Sequence, residues 1–360
     1  VVAGRIANRL DLGGSNFVTD AACASSFSAV QAGLSELYLG DSDMVVAGGV
    51  DALNDILMYM CFSKTPAFSA TGDCRPFSDQ ADGTMIGEGI GMVALRRLED
   101  AEADGDPIYA VIRGLGASSD GRGTSVYAPK PSGQAKALNR AYARADYSPA
   151  TVELVEGHGT ATKAGDAAEI RGLTSVFAPA NPEGRAWCAL GSVKSQIGHT
   201  KAAAGSAGLI KVALSLHHKL LPPTAKVENP SPALAAGDSP LYVNTQARPW
   251  IRGSDHPRRG SISSFGFGGS NFHVAVEEYQ GTGRKAERLR AWSEELVALS
   301  ATSNTALADT LTALQVRVDA GEHLGRIAHS CAEDFDPAAE ARVMKASPEV
   351  MILSPAKTER

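Results

Sequence analysis

Short apolar runs alternate with amphipathic stretches as far as residue 279, and this alternation constrains the fold more than any other feature. "DMVVAGGVD", "VELVEGH" and "WCALGSVK" are apolar and bounded by turn residues, which is typical of buried strands. "GEGIGMVALRRL" and "PIYAVIRGLGAS" read as longer strands joined by polar "EDAEADGD". "GQAKALNRAYARA", residues 164–177 and "TKAAAGSAGLIKVALSL" carry helical spacing. This order, closed by the paired strands of "RRGSISSFGFGGSNFHVAVEEY", predicts a layered α/β fold with mixed sheets.

A lone cysteine marks the first predicted strand-to-helix junction. "NFVT" reads as a strand, and residues 24–39 read as a helix that ends at Gly40. Cys23 therefore sits at a helix N-terminus, where the dipole and free N–H groups lower a thiol pKa. Alanine neighbours leave room for an acyl group, and the turn parallels a nucleophile elbow. The alternative is a buried structural cysteine, the interpretation that suits the other four: Cys61, Cys74, Cys188 and Cys331.

Two histidines occupy equivalent glycine-containing loops at predicted strand ends. His158 follows "VELVEG", and His199 lies in "GSVKSQIGHTKAAAG". Sites in α/β proteins gather at such loops, so these two histidines and Cys23 form a candidate constellation. A metal site competes with this interpretation, but it needs a further ligand that the small-residue surroundings do not offer.

Charged residues flank both histidine loops. Lys194 precedes His199 by five residues, where it can hold a carboxylate or an imidazole in place. Asp166 and Glu169 follow His158 on a predicted helix and could pair with it. Ordinary salt bridges remain the alternative explanation for all three.

A glycine-rich turn, "SSFGFGGSNFH", carries Phe265 and Phe267. Glycines there permit positive φ and close backbone approach, so a backbone N–H of the turn could join that of Cys23 in an oxyanion hole. An aromatic ring on this turn could also gate a tunnel. By itself the motif is equally consistent with a simple β-turn between apolar strands.

Composition excludes some classes of function. A net charge of −6 argues against a nucleic-acid protein, and no apolar run reaches the length of a membrane span. Five scattered cysteines without CxxC spacing argue against a disulfide framework and favour a reducing cytoplasm.

After residue 279 the sequence becomes polar and basic. It then contains "EELVALSA", which reads as a strand, and "TALADTLTALQVRV", which reads as a helix. We therefore expect one domain over 1–279 and a linker region over 280–360.

Four ordered motifs, "DAACASS", "EGHGTATKAGD", "GSVKSQIGHTKAAAG" and "SSFGFGGSNFH", resemble those of β-ketoacyl synthases of the thiolase superfamily. The resemblance covers residues 1–279. "MCFSKTPAFS", "MIGEGIGMVALRRLEDAEADGDPIY", "GASSDGRGTSVYAPKPSGQAKALNRAY" and "ALGSVKSQIGHTK" are similar to the ketosynthase domain in the first subunit of polyunsaturated fatty acid synthases. Residues after about 281 then resemble a linker that leads toward an acyltransferase domain.

The resemblance implies a thiolase-like α-β-α-β-α fold of two similar halves and a decarboxylative Claisen condensation. Cys23 would take an acyl chain from the 4'-phosphopantetheine of an acyl carrier protein, and malonyl-carrier protein would extend it by two carbons. His158 and His199 would support decarboxylation and stabilise the enolate oxygen. The domain would bind no cofactor and no metal of its own.

Further residues receive supporting roles from the same resemblance. Lys194 and Glu169 would order the histidines, with Asp166 beside them. Phe267 would gate the site and share the oxyanion hole with Cys23. Two threonines would bind the pantetheine arm: Thr160 and Thr162.

The resemblance also implies partners and an assembly. An acyl carrier protein and an acyltransferase domain of the same polypeptide would work with this domain. A homodimer would form through a strand over residues 16–20, which would pair with its mate across a two-fold axis. We expect no nucleic acid partner and no membrane span.

The sequence departs from the family pattern at two positions. Ala161 stands where many relatives carry Gly, and Lys163 stands where a small or apolar residue is common. The early strands of the first half would precede Val1, so that half is expected to be incomplete. We therefore expect the 360 residues alone to be poorly active, which comparison with a longer domain in a condensation assay would test.

Three alternative functions remain on sequence grounds. A modular or iterative polyketide synthase domain shares the chemistry and differs in substrate. A thiolase uses a second cysteine in a glycine turn, and none of the other four cysteines lies in one. A non-catalytic chain-length partner usually lacks the nucleophile, whereas Cys23 is present.

Overall fold

The computed structural model describes residues 1–65, 67–123, 125–180, 186–234, 239–251, 255–283, 295–322 and 324–347. The chain forms two compact units, Val1–Glu287 and Arg288–Arg360. Parts of the predicted linker region, 284–294 and 348–360, lie outside the described residues. The helices of the first unit are α1 (Val2–Leu10), α2 (Ser25–Leu39), α3 (Ile56–Lys64), α4 (Leu98–Ala103), α5 (Pro131–Ala145), α6 (Lys163–Phe177), α7 (Lys194–Ile197) and α8 (Ala204–His218). Its strands are β1 (Met44–Asp51), β2 (Gly89–Arg96), β3 (Val111–Ser119), β4 (Leu154–Glu156), β5 (Cys188–Gly191), β6 (Leu220–Leu221), β7 (Leu241–Val243), β8 (Arg248–Pro249), β9 (Arg259–Gly266) and β10 (Ser270–Glu277).

A mixed six-stranded sheet with the order β3-β10-β9-β4-β5-β7 forms the centre of the first unit. Strands β9, β4, β5 and β7 run parallel, and β10 is antiparallel to both β9 and β3. Both faces of the sheet are buried, since Leu154 belongs to one apolar core and the adjacent Val155 to another. Such double burial explains why the parallel strands read as continuous apolar runs in the sequence.

Helices cover the two faces of this sheet. Helices α2 and α8 contribute Phe27, Leu209 and Val212 to the core on one face. Helices α5 and α6 contribute Leu138 and Leu173 to the core on the other. The antiparallel pair β1–β2 packs on the far side of α2 and α8, so the described elements form successive helical and sheet layers. The layered α/β prediction is confirmed.

Small residues let α2, α8 and β1 approach closely. A Cβ added at Gly49 would lie 2.2 Å from Ser26 Oγ and 2.3 Å from Ala202 O, and one at Gly205 would lie 3.1 Å from Ser26 Cβ. Any larger side chain would push the layers apart. The small-residue composition of "TKAAAGSAG" is thus a packing requirement of this junction.

Several local predictions are wrong. Within one chain the predicted strand at "NFVT" does not form, because residues 16–20 have no ladder partner among the described residues. A strand requires a neighbouring ladder to satisfy its N–H and C=O groups. The linking segment "EDAEADGD" contains most of helix α4, and the sequence analysis missed helices α1 and α3.

The second unit contains β11 (Glu295–Ala301), α9 (Asn304–Asp319), α10 (Leu324–Glu333) and β12 (Ala341–Ser347). Strands β11 and β12 pair antiparallel, and Leu299, Leu314 and Ile327 share a small core. Ser303 caps α9 by accepting a hydrogen bond from the N–H of Ala306 at 3.2 Å. The predicted strand and helix of this region are confirmed, whereas α10 and β12 were not predicted.

Candidate active site

Cys23 lies in a tight 3-10 turn, Ala22–Ala24, that leads directly into α2. Ala22 adopts a φ of 51°, a left-handed conformation that is unfavourable for alanine. Ser25 Oγ stabilises the turn by donating to the carbonyl of Ala22 at 2.7 Å, and Ser264 Oγ donates to the carbonyl of Cys23 at 2.7 Å. The turn therefore holds the cysteine rigidly at the start of a helix, in the manner expected of a nucleophile.

The electrostatics of the thiol differ from the prediction. Burial raises the pKa of Cys23 above its ordinary value, although the backbone N–H of Phe267 and the charge of Lys194 act to lower it. The expectation of a net lowered pKa is wrong because desolvation outweighs the backbone N–H groups of Phe267 and Cys23 and the charge of Lys194. The thiol is protonated at neutral pH in this environment. The N–H groups of Cys23 and Phe267 both face the sulfur, which is the arrangement expected of an oxyanion hole.

The rings of the two predicted histidines, His158 and His199, lie next to each other. Their ring centroids are 5.4 Å apart and their planes are nearly perpendicular, at 83°. Burial, together with the nearby charge of Lys194, holds the pKa of His158 and of His199 well below the usual range. Both imidazoles are therefore neutral at physiological pH, and each has one N–H to donate.

The tautomer of His199 follows from its hydrogen bond. Its Nδ1 accepts the backbone N–H of Lys201 at 3.0 Å, so the ring proton lies on Nε2. The backbone of His199 is fixed as well, because its N–H donates to the carbonyl of Met85 at 2.6 Å. By contrast, Nδ1 of His158 is buried without a hydrogen-bond partner among the described residues.

Lys194 and Glu169 hold the main chain of His158 from both sides. The Lys194 ammonium donates to the carbonyl of His158 at 2.5 Å, and Glu169 accepts the N–H groups of His158 and Gly159 at 2.6 and 2.8 Å. The prediction that Glu169 could pair with this histidine is realised through the backbone of His158. Both side chains are buried, at 4% and 2% exposure, so the loop is rigid.

Asp166 holds two strained residues. Its carboxylate accepts the N–H of Phe77 at 2.7 Å and that of Ala161 at 3.1 Å. Phe77 and Ala161 have φ values of 60° and 62°, in the left-handed region. We expected Asp166 to pair with His158, but the contacts of the described residues include no hydrogen bond or ion pair between them. Sequence reasoning missed Phe77 altogether, because a buried phenylalanine gives no signal of its backbone conformation.

Buried charges around the histidines have displaced pKa values. Burial raises the pKa of Asp166 and of Glu169 to about 7, against the backbone N–H groups that each carboxylate accepts. Burial also lowers the pKa of Lys194, although the charges of Glu156 and Glu169 oppose it. Clustered displaced pKa values are typical of functional sites.

Two threonines that follow His158 in the chain, and a pair of stacked aromatic rings that includes Phe267, are the outermost residues expected in this site. Thr160 Oγ1 and Thr162 Oγ1 lie 2.9 Å apart. The ring of Phe267 stacks on that of Tyr127 with centroids 4.5 Å apart and an interplanar angle of 20°. Phe267 and Tyr127 are 52% and 58% exposed, so they lie at the surface. Sequence reasoning missed Tyr127, which follows a different strand from the glycine-rich turn.

Two other kinds of site are absent from the part of the chain that the structure describes. No group of three or more His, Cys, Asp or Glu residues there is placed to hold a metal ion. None of its helices has the length and apolar character needed to cross a membrane.

Comparison with family models identifies three consecutive matches. They are the N-terminal domain of β-ketoacyl synthases over residues 1–101, the C-terminal domain of these enzymes over 109–228, and the ketoacyl-synthetase C-terminal extension over 230–339.

Curated relatives include two large synthases. A polyunsaturated fatty acid synthase subunit from a Thraustochytrium species is 50% identical over 83% of this chain, which spans 11% of that protein. Polyketide synthase PksN of Bacillus subtilis is 41% identical over 76% of this chain, which spans 5% of that protein. The chain thus matches only a small part of each relative.

Solved structures give the same fold. The ketosynthase from module 6 of the Bacillus subtilis bacillaene synthase has a TM-score of 0.75 and 38% identity, covering 89% of this chain and 55% of its own. The oxazolomycin ketosynthase domain OzmH KS7 of Streptomyces albus has a TM-score of 0.76 and 33% identity, covering 93% of this chain and 58% of its own.

Proposed function

Because the chain belongs to the β-ketoacyl synthase family and has its thiolase-like fold, we propose that it catalyses a decarboxylative Claisen condensation between carrier-bound acyl groups. One observation supports this most: a half-buried thiol at a strained helix entry lies in one site with two neutral histidines and a buried lysine. The 3-oxoacyl-carrier-protein synthase activity is therefore the proposed activity of this chain.

Acylation is the first step. The Cys23 sulfur attacks the thioester carbonyl of an acyl chain on 4'-phosphopantetheine, and the carrier thiol leaves with the cysteine proton. Negative charge develops on the carbonyl oxygen, where the N–H groups of Cys23 and Phe267 would stabilise it. The entrance threonines, Thr160 and Thr162, would bind the pantetheine arm through their hydroxyl groups.

Condensation follows on the acyl-enzyme. The malonyl group loses CO₂, and the C–C electron pair forms an enolate that attacks the Cys23 thioester. The new C–C bond replaces the C–S bond, the cysteine takes up a proton, and the product is two carbons longer. The Nε2–H of His199 and the neutral ring of His158 would donate to the enolate oxygen. Splitting the reaction in this way is covalent catalysis.

Lys194, Glu169 and Asp166 would act as positioning residues. Lys194 and Glu169 fix the peptide of His158, and Asp166 fixes the left-handed residues Phe77 and Ala161. Phe267 would gate the entrance, where its ring is exposed and stacked on Tyr127.

Selective alkylation of the thiol tests the nucleophile. A chloroacetyl-pantetheine mimic should modify Cys23 alone among the five cysteines, and the Cys23→Ala variant should take up no label at this site. Cys61→Ala is the matched control, because Cys61 is exposed and lies outside the site. Equal labelling of the wild type and Cys23→Ala would refute the proposed nucleophile.

The pathway is a finer proposal. We propose chain elongation in polyunsaturated fatty acid synthesis, supported by the 50% identity to the Thraustochytrium polyunsaturated fatty acid synthase, compared with 41% to PksN. A ketosynthase of a modular or iterative polyketide synthase is the alternative, supported by the solved polyketide ketosynthases. Competition between saturated or unsaturated fatty acyl groups and short branched acyl groups for transfer to Cys23 would separate the two.

Partners and assembly are proposed on the same premise. An acyl carrier protein would deliver both substrates, residues 1–279 would form the condensing domain, and residues 280–360 would lead toward an acyltransferase domain. A homodimer would provide the ladder partner that residues 16–20 lack within one chain, where Phe17 and Val18 are 57% and 70% exposed. Sedimentation of the wild type against a Val18→Asp variant tests this, since a monomeric wild type would refute it.

A further inference from the structure

Lys201 has a strained backbone that serves the ring of His199. Its φ of 47° lies in the left-handed region, which costs an L-residue other than glycine about 1–2 kcal/mol. In this conformation its backbone N–H points at Nδ1 of His199, at 3.0 Å. Such a conformation persists only where the surroundings enforce it.

The contacts of the Lys201 side chain hold its backbone in this left-handed conformation. Its ammonium donates to Asn54 Oδ1 at 2.6 Å and to the carbonyl of Gly87 at 3.1 Å, and it pairs with Asp51 Oδ1 at 3.0 Å. An ammonium has three donors, and each of them has an acceptor here. The side chain is only 8% exposed, so this arrangement is shielded from water.

Two of these partners, Asp51 and Gly87, also contact the loop that carries His199. The second oxygen of Asp51 accepts the N–H of Ala202 at 3.3 Å, and the N–H of Gly87 donates to the carbonyl of His199 at 3.0 Å. The Lys201 ammonium, the Lys201 backbone and the His199 imidazole thus belong to one hydrogen-bond network, which links the end of β1 to the segment before α8.

We propose that Lys201 is a positioning residue that fixes the tautomer and the orientation of His199. The ammonium contacts hold the left-handed backbone, the backbone N–H occupies Nδ1, and the proton of His199 is thereby confined to Nε2. Without the ammonium contacts the backbone relaxes, Nδ1 loses its donor, and both tautomers become populated. The consequence for catalysis rests on the proposed function, whereas the tautomer itself does not.

A tautomer measurement tests this without any substrate. The full chain, labelled with ¹⁵N at its histidine rings, is compared by NMR as wild type, Lys201→Met and Lys226→Met. Lys226 is the matched control, because it is also left-handed at φ 63° but pairs with Asp73 at 2.7 Å in a 44% exposed position. Resonances of His199 are identified by their loss in His199→Gln.

The wild type and Lys226→Met should show an unprotonated Nδ1 and a protonated Nε2. In Lys201→Met the Nδ1 resonance should move toward the protonated range. An unchanged Nδ1 resonance in Lys201→Met, or a wild type protonated on Nδ1, would overturn the proposal. If Lys201→Met fails to fold, Asp51→Asn and Asn54→Ala each remove one acceptor, and an unmoved resonance in both overturns it equally.

A kinetic measurement then links the tautomer to the reaction. Decarboxylation of malonyl-carrier protein by Lys201→Met should fall about tenfold to a hundredfold, the range expected for a misplaced catalytic group. A mixed tautomer with an unchanged decarboxylation rate would overturn the positioning role. Wild-type decarboxylation that is absent altogether would count against the proposed condensing function and would leave the tautomer result standing by itself.

Discussion

The interior of the site and its entrance are built in opposite ways. In the interior, Lys194, Glu169 and His199 are 4%, 2% and 3% exposed and are held by hydrogen bonds of 2.5, 2.6 and 3.0 Å. At the entrance, Phe267 and Tyr127 are more than half exposed and contact each other by ring stacking. Buried hydrogen bonds to charged groups are worth more than exposed ring contacts, so substitutions should cost far more inside than at the entrance.

The difference also concerns charge. Burial moves the pKa of the interior carboxyl groups to about 7 and depresses that of both histidines. The interior should therefore respond to pH, whereas the entrance should respond to the size of its aromatic side chains. Three predictions test this division, in decreasing order of expected effect.

The largest effect is expected for Lys194→Met. It removes the donor to the His158 carbonyl and leaves buried carboxylates without their positive neighbour. The free energy of unfolding in urea should fall by about 3–5 kcal/mol. Lys130→Met is the control outside the buried interior, because the Lys130 ammonium likewise donates to backbone carbonyls, those of Asp120 and Arg122, but in a half-buried position. Equal losses of unfolding free energy in the two variants would contradict the difference between the interior and the more exposed residues.

Glu169→Gln should change how stability depends on pH. The folded pKa of Glu169, about 7, lies above its ordinary value of 4.5, so its stabilising contribution is complete below about pH 4.5 and is lost as pH rises through about 7. The stability of the wild type minus that of Glu169→Gln should therefore fall by about 3 kcal/mol over this window. Urea unfolding at a series of pH values measures the difference.

Glu278 provides the control of opposite sign. Although burial acts to raise its pKa, the hydrogen bond and charge of Arg258 hold the pKa below its ordinary value. The corresponding difference for Glu278→Gln should grow as pH rises through the carboxyl range. Parallel pH curves for both variants would contradict the opposite directions of the two pKa shifts.

Tyr127→Ala should have the smallest effect, confined to access. Loss of the stack with Phe267 removes about 0.5–1.5 kcal/mol, so labelling of Cys23 by a pantetheine mimic should become about twofold to tenfold faster. Tyr109→Ala is the control, because Tyr109 is comparably exposed at 49% and packs on His217 instead. Slower labelling of Tyr127→Ala would show that the stack supports the site instead of covering it.

The sequence predicted most elements of this fold because burial on both faces leaves a clear pattern. Strands β4 and β5 read as apolar runs, and α8 reads as a small-residue helix that the close approach at Gly49 requires. The pattern of "NFVT" predicted a strand, and the family resemblance extended it to Asp20. Residues 16–20 have no ladder partner in one chain, and a sequence pattern cannot supply one.

The sequence by itself indicated which chemical groups meet, since Cys23, His158, His199 and Lys194 lie in recognisable motifs that the fold brings together. Only the tertiary structure decided their physical state. Burial raises the pKa of the Cys23 thiol, and the carboxylate of Glu169 accepts a backbone N–H of His158. Lys201 has a left-handed backbone conformation, in which its N–H donates to Nδ1 of His199. Desolvation and backbone conformation arise from contacts among distant segments, so no local pattern of residues encodes them.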